Sequence, residues 1–432
     1  MGIFAKRAEL IGTENAFKVG PYIREVEEAG HRVIKCNLGE PDFPLPRHIS
    51  AEVKRQLDLD LTHYCDPQGI LPLREAIARD MGRRRHMSIS PERVVVLPGA
   101  KPAIAFALQT YCDPGDEVIY PSPGFPIYES LAGYVAARPV PQHLEEVKGF
   151  ACTGDDLAPL ISERTKLIIL NFPSNPTGGV ASRDQLLSIA AVIRDRAPAE
   201  ARVYSDEVYE EILFDGSTHF SIASLPGMAE RTLIVSGVSK SYSWTGGRLG
   251  WAVLPTADEA AHFKTLNINY FSCVPAYNQM GAKVGIEAPE SAVEIARMVR
   301  AFQERRDVVV SRLNAIPGIT CQQPKGAFYV FPNVGGALQD LGAIDFYASL
   351  PAARRSTTSP ATIFRMFLLF RYHLAVMDRR SFGIIGSEGK HFLRISIATG
   401  LPDLEEAMTR IAQATRDRRG FAAFVAEDGR LS

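Results

Sequence analysis

The chain has 432 residues, 46% of them hydrophobic and 22% charged, with a formal net charge of −1. That length calls for more than one small core. The balanced charge argues against sequence-independent binding to a nucleic-acid backbone. No uncharged apolar run approaches the ~18 residues of a membrane span, and the nearest, Ala361 to Phe370, is broken by Arg365.

The opening stretch MGIFAKRAEL lacks the apolar centre of a signal peptide. Short β-branched runs then alternate with helical patterns through the middle of the chain. Strands are expected at Val94–Leu97, Glu117–Tyr120, Lys166–Asn171, Arg202–Asp206, Thr232–Ser236 and Leu249–Leu254. Helices are expected between them, as at Ala103–Tyr111 and Arg183–Arg194. This alternation predicts an α/β domain with a mostly parallel sheet, whose ligands gather at the carboxyl ends of strands. From about Glu290 the pattern changes. A long charged helix runs through Arg312, followed by a strand at Ala327–Phe331 and a helical stretch around Asp345. A strand at Phe392–Ile397 and a helix at Asp403–Arg416 complete a smaller α+β unit. Ala352–Thr362, rich in Ala, Ser, Thr and Pro, reads as a loop, and the last dozen residues as a loosely held tail.

Six cysteines (Cys36, Cys65, Cys112, Cys152, Cys273, Cys321) form no C-x-x-C pair and read as reduced thiols of a cytoplasmic protein. Nine histidines include no H-E-x-x-H and no Cys/His cluster, so no metal site is expected.

Five segments at strand ends carry candidate chemistry. In Ser236-Gly237-Val238-Ser239-Lys240 the lysine follows a strand on a loop of small residues. There partial desolvation would make it nucleophilic. Arg248, eight residues on, suits bidentate binding of a phosphate. Asp206-Glu207-Val208-Tyr209 offers a carboxylate for a protonated ring nitrogen and a tyrosine for a phenolic oxygen. In Asn171 to Gly179, Asn175 is fixed by Pro176 as a polar contact in a rigid turn. Pro98-Gly99-Ala100-Lys101-Pro102 turns from strand to helix, leaving the Ala100 and Lys101 amides free for an anion. Arg394 lies in a strand among apolar residues and needs an anionic partner.

In this order and spacing, the five segments resemble the fold type I pyridoxal-phosphate aminotransferases of class I/II. The chain is most similar to their aspartate/aromatic branch, over about residues 14 to 415. Asn37–Phe43, Tyr64 with Gly69–Arg74, Asp113–Asp116 and Gly326–Tyr329 extend the match. The resemblance implies a large pyridoxal-phosphate domain, 46–290. It also implies a smaller α+β domain built from both chain ends, the N-terminal segment 1–45 and residues 291–432. It implies pyridoxal 5′-phosphate held as a Schiff base on Lys240, which also shuttles the substrate proton. Asp206 would keep the pyridine nitrogen protonated, and Tyr209 and Asn175 would bond the ring hydroxyl. Phe125 would stack on the ring. Ala100, Lys101, Ser239 and Arg248 would hold the phosphate, joined by Tyr64 from the partner subunit of a homodimer. Arg394 would take the substrate α-carboxylate, beside Gly39 and Asn175.

The chain departs from the family at two positions. Gly237 stands three before the lysine, where Ser or Thr is frequent, leaving Ser236 or Ser239 to compensate. Pro102 removes one amide at the helix start. The implied reaction moves an amino group from an L-amino acid to a 2-oxo acid. A β-lyase of the same fold is the competing enzyme reading. A grip on the carboxylate disfavours decarboxylation. A pyridoxal-phosphate-sensing regulator would carry an added DNA-binding helix pair, for which the roughly 13 preceding residues are too few. Substrate specificity is expected in Glu14–Tyr22, in the partner-derived stretch Asn267–Pro275 with Tyr270 and Phe271, and in Asp378–Lys390.

Overall fold

A computed structural model describes residues 3–12, 14–427 and 430–431. Met1, Gly2, Thr13, Asp428, Gly429 and Ser432 lie outside the described residues, so the readings of the first residues and of the tail are followed only in part.

The middle of the chain folds as a seven-stranded sheet. Its order is Val94–Leu97, Gly250–Val253, Thr232–Gly237, Arg202–Asp206, Thr165–Asn171, Glu117–Ser122, Arg138–His143. The last five run parallel, and Gly250–Val253 is antiparallel to both neighbours. Buried runs such as Val-Val-Val-Leu at 94–97 are apolar without alternation because helices cover both faces. Those helices start at legible caps. Ser182 accepts from the Gln185 amide at 3.2 Å while Gln185 reaches back to Ser182 at 2.8 Å, opening the helix Arg183–Arg196.

Arg138–His143, which carries Pro139 and Pro141, is a strand absent from the expected set. It lies at the sheet edge, where a missing amide donor breaks no ladder.

The remaining strands make two small sheets. Met377–Asp378, Leu393–Ser396 and Tyr329–Val330 pair antiparallel. Ile34–Lys35 pairs in parallel with Leu374–Ala375, tying the N-terminal segment to the C-terminal part. Both late strands are shorter than their apolar runs suggest.

Two expectations fail here. Ala352–Thr362 is not simply a loop. It holds a short helix, Ala352–Arg355, and the start of another, Pro360–Tyr372, whose cap is Ser359 accepting from the Thr362 amide at 3.1 Å. A Ser-Pro start signal was concealed in a loop-like composition. That second helix contains the apolar run Ala361–Phe370, buried almost all round. The described part of the last dozen residues is not loose either. Arg418–Ala426 is helical, and Phe421 and Phe424 are buried against Phe367.

Candidate active site

A cavity of about 540 Å³ opens at the carboxyl ends of the parallel strands. Gly39, Ala100, Lys101, Phe125, Asn175 and Asp206 line it, with Tyr209, Ser239, Lys240, Arg248 and Arg394. Tyr64 does not. Its side chain is 88% exposed on this chain's own surface.

Lys240 sits on a one-turn helix, Val238–Ser241, directly after the Thr232–Gly237 strand, rather than on a loop. Its Nζ donates to the Gly39 carbonyl at 2.6 Å. Burial, reinforced by the nearby Arg394 charge, brings its pKa down from 10.5 to about 8. Asp206 ends the neighbouring strand and is buried. Burial raises its pKa to about 6, although the Tyr128 hydroxyl donates to Oδ2 at 2.5 Å and favours the anion.

Asn171 ends the next strand. Its Nδ2 donates to the Asp206 carbonyl at 3.2 Å and its Oδ1 accepts from the Asn175 amide at 3.0 Å. The Asn175 turn is thereby locked to the strand bearing Asp206. Asn175 Oδ1 in turn accepts from Arg394 at 3.1 Å. Arg394 is buried, bonded to the Asn37 carbonyl, and held between the rings of Tyr329 (4.6 Å) and Phe382 (4.7 Å). Burial lowers its pKa. The Tyr209 and Tyr329 hydroxyls share a hydrogen bond of 2.7 Å.

Around Arg248 the backbone is tight. A Cβ on Gly99, whose φ is +89°, would lie 2.3 Å from the guanidinium. Lys101 caps the helix Pro102–Tyr111, so Pro102 is its first residue and the lost amide belongs to a position with no helical partner. The Lys101 ammonium pairs with Glu14, which also lines the cavity. Gly237 is sterically required: a Cβ there would lie 2.8 Å from the Gly250 Cα. Ser236 is committed to Glu210 at 2.8 Å, so Ser239 is the hydroxyl that faces the cavity.

The cavity also has lining residues to which the sequence reading gave no role. Tyr329 lies in the recognised Gly-Ala-Phe-Tyr stretch. Tyr128 lies one helical turn beyond Phe125. Glu40 sits inside the Gly-Glu-Pro stretch. Of the specificity candidates, Glu14 lines the cavity and Phe382 packs on Arg394. Tyr22 packs on Phe370, and Tyr270 and Phe271, expected to serve the partner's site, lie outside this chain's own cavity near Phe106.

Behind Asp206 lies a buried ion cluster. Among the described residues, Glu207, Glu210 and His219 are close enough together to hold a metal. Arg85 inserts between the two carboxylates and supplies the compensating charge. Despite burial, Arg85 and His219 hold the Glu207 carboxyl well below its ordinary range. The cluster is therefore built as an ion-pair network.

The chain fits pyridoxal phosphate on its own chemistry. It offers a depressed-pKa amine, a buried carboxylate, a cradle of Gly99 and the Ala100 and Lys101 amides, and a buried guanidinium whose Nε lacks a partner.

The model of the aminotransferase class I and II family matches residues 31–411. An aspartate aminotransferase of Pyrococcus abyssi is 34% identical over 90% of this chain and 92% of its own. An arginine–pyruvate transaminase of Pseudomonas aeruginosa is also 34% identical, over 91% and 93%. The crystal structure of the Rhizobium meliloti aspartate aminotransferase superposes with a TM-score of 0.85 at 31% identity, covering all of both chains. With a family model spanning most of the chain, and with fold and sequence in agreement, the chain belongs to the class I and II aminotransferases and is an aminotransferase enzyme.

Proposed function

We propose that this aminotransferase uses pyridoxal 5′-phosphate to move the amino group of an L-amino acid to a 2-oxo acid, and that it works as a homodimer. The observation that carries the reading is the convergence of Lys240, Asp206 and Arg394 on one cavity. When bound, the cofactor supplies a carbonyl carbon for imine exchange and an electron-accepting ring.

The residues divide the work. Lys240, with its pKa near 8, is the amine for that carbonyl and, once free, would be the base that takes the Cα proton and returns it to the cofactor's carbonyl carbon. Asp206 would keep the ring nitrogen protonated, and losing such an electrostatic partner costs ~10²–10³ in rate. Tyr209 and Asn175 present their polar atoms to the ring oxygen, and Phe125 covers a ring face. The amides of Ala100 and Lys101, the Ser239 hydroxyl and Arg248 meet the phosphate. Arg394 holds the α-carboxylate with Asn175 and the backbone near Gly39 beside it. This leaves the Cα–H bond as the one to break.

The dimer reading is supported by the exposure of Tyr64, and of Ile268, Tyr270 and Phe271 at one helix end. There a partner would bury apolar surface and bring Tyr64 to the other cavity. A division into a large domain, 46–290, and a small one from 1–45 and 291–432 is supported by the pairing of Ile34–Lys35 with Leu374–Ala375.

The test is the visible spectrum of protein loaded with pyridoxal phosphate, before and after single amino acids are added without an oxo acid. Bleaching of the imine band with stoichiometric oxo acid is expected. Continuous release of oxo acid with ammonia would instead mean a β-lyase. No bound chromophore in folded protein would remove Lys240 from its role.

A further inference from the structure

Transamination uses one pocket twice, first for the donor amino acid and then for the acceptor oxo acid. A charge that the pocket rejects on one side chain is therefore rejected on both. Among the described residues, four cations line the cavity: Lys101, Lys240, Arg248 and Arg394. Under the reading above, three are taken: Lys240 by the cofactor carbonyl, Arg248 by the phosphate, Arg394 by the α-carboxylate.

The fourth is already neutralised. Lys101 Nζ is ion-paired with Glu14 and lies 5.5 Å from the Phe125 ring centroid. The Glu14 side chain is 18% exposed and that of Lys101 46%, so solvent reaches the pair from the lysine's side more than from the acid's. Glu40, whose carboxylate accepts from the Thr245 hydroxyl, lines the same cavity and has no ion pair among the described residues. The remaining charge toward a substrate side chain is thus negative. A second carboxylate would meet Glu14 and Glu40 with no free cation among the described residues of this chain, a like-charge juxtaposition that suppresses wrong ligands.

We propose that Glu14 determines specificity by masking Lys101, so that the pocket favours a cationic over an anionic side chain in donor and acceptor alike. The inference rests on the aminotransferase reading and deepens it. A basic amino acid such as arginine would be a better donor than aspartate, and a monocarboxylic oxo acid a better acceptor than 2-oxoglutarate.

Two measurements on the cofactor-loaded enzyme test this. Calorimetry compares 5-aminopentanoate with succinate, which share one carboxylate for Arg394 and differ in the charge at the far end. Half-reaction kinetics compare kcat/KM for L-arginine and L-aspartate. Succinate is expected to bind at least about tenfold more weakly, a difference of ~1.4 kcal/mol. Glu14→Gln is expected to shift both preference ratios at least about tenfold toward the dicarboxylate, and Glu14→Asp to keep the wild-type order. A general structural defect would lower both partners of each ratio without inverting preference. Succinate binding as well as 5-aminopentanoate in the wild type, or unchanged ratios in Glu14→Gln, would overturn the proposal. Aspartate bleaching the cofactor as readily as arginine defeats this inference alone. Bleaching by neither, nor by L-alanine, defeats the reading of function, and the calorimetry still decides the charge preference.

Discussion

Replacing Arg394 with lysine keeps the positive charge and removes the planar fork. The structure sets the size of the loss. The guanidinium is buried, clamped between Tyr329 and Phe382, and oriented by Asn175 and the Asn37 carbonyl. A lysine ammonium in that slot would sit on a flexible stem without the flat stacking surface, and would give one carboxylate contact in place of two. One charge-assisted hydrogen bond is worth ~1.5–3 kcal/mol. The half-reaction of Arg394→Lys with L-alanine should therefore lose about 10- to 150-fold in kcat/KM. The assay is stopped-flow bleaching of the cofactor band over a range of alanine concentrations. The unreacted band should keep its position, since Arg394 faces the substrate. A variant within about threefold of wild type would refute the assignment of the carboxylate to Arg394. A shifted or missing band would mean that the residue supports the cofactor instead.

Two further outcomes follow from buried charge. Lys240 titrates near 8 rather than 10.5 because burial penalises its charged form. At pH 7 the reactive amine is then roughly 10% of the population, against roughly 0.03% for an ordinary lysine. Capture of pyridoxal phosphate by the cofactor-free protein should accelerate with pH up to about 8 and then level. A rate still climbing toward pH 10 would contradict the desolvation argument. Arg85→Met should destabilise the fold by ~3–5 kcal/mol, because it removes the cation that the buried Glu207 and Glu210 share and leaves only His219 beside the first and Arg84 beside the second. In the wild type both carboxyls titrate below their ordinary value, so their contribution is intact above pH ~4.5 and is lost as pH falls through the folded pKa. In the variant they would titrate high, so the gap in melting temperature should narrow as pH drops from 7 to 5. An equal gap at both values would mean the cluster carries no uncompensated charge.

The sequence by itself determined six of the seven strands of the central sheet and, Tyr64 excepted, the candidate residues that gather at the cavity. Strand and helix periodicity is a local property, and Val94–Leu97, Arg202–Asp206 and the helix after Ser182 each carry their own burial pattern or cap. Lys240, Asp206, Asn175 and the Gly99 turn follow strand ends. Placing the strands therefore placed them on one side of the sheet. Where local signals were weak the reading failed. The Pro-bearing edge strand at Arg138–His143 had no clean pattern, and the Ser359–Pro360 helix start lay inside loop-like composition. The helix at Arg418–Ala426 is held by packing on Phe367, which no local window contains. Tertiary structure alone decided the distances between segments far apart in the chain. Arg394 meets Asn175 and Asn37 across 219 and 357 residues, and Lys101 meets Glu14 across 87. It also decided that Gly237 must lack a side chain, because the Gly250 backbone lies against it. Charge states belong to the same class. The amine of Lys240 and the carboxyl of Asp206 have shifted pKa values because the folded chain removes water around them, and burial arises only when distant segments close together.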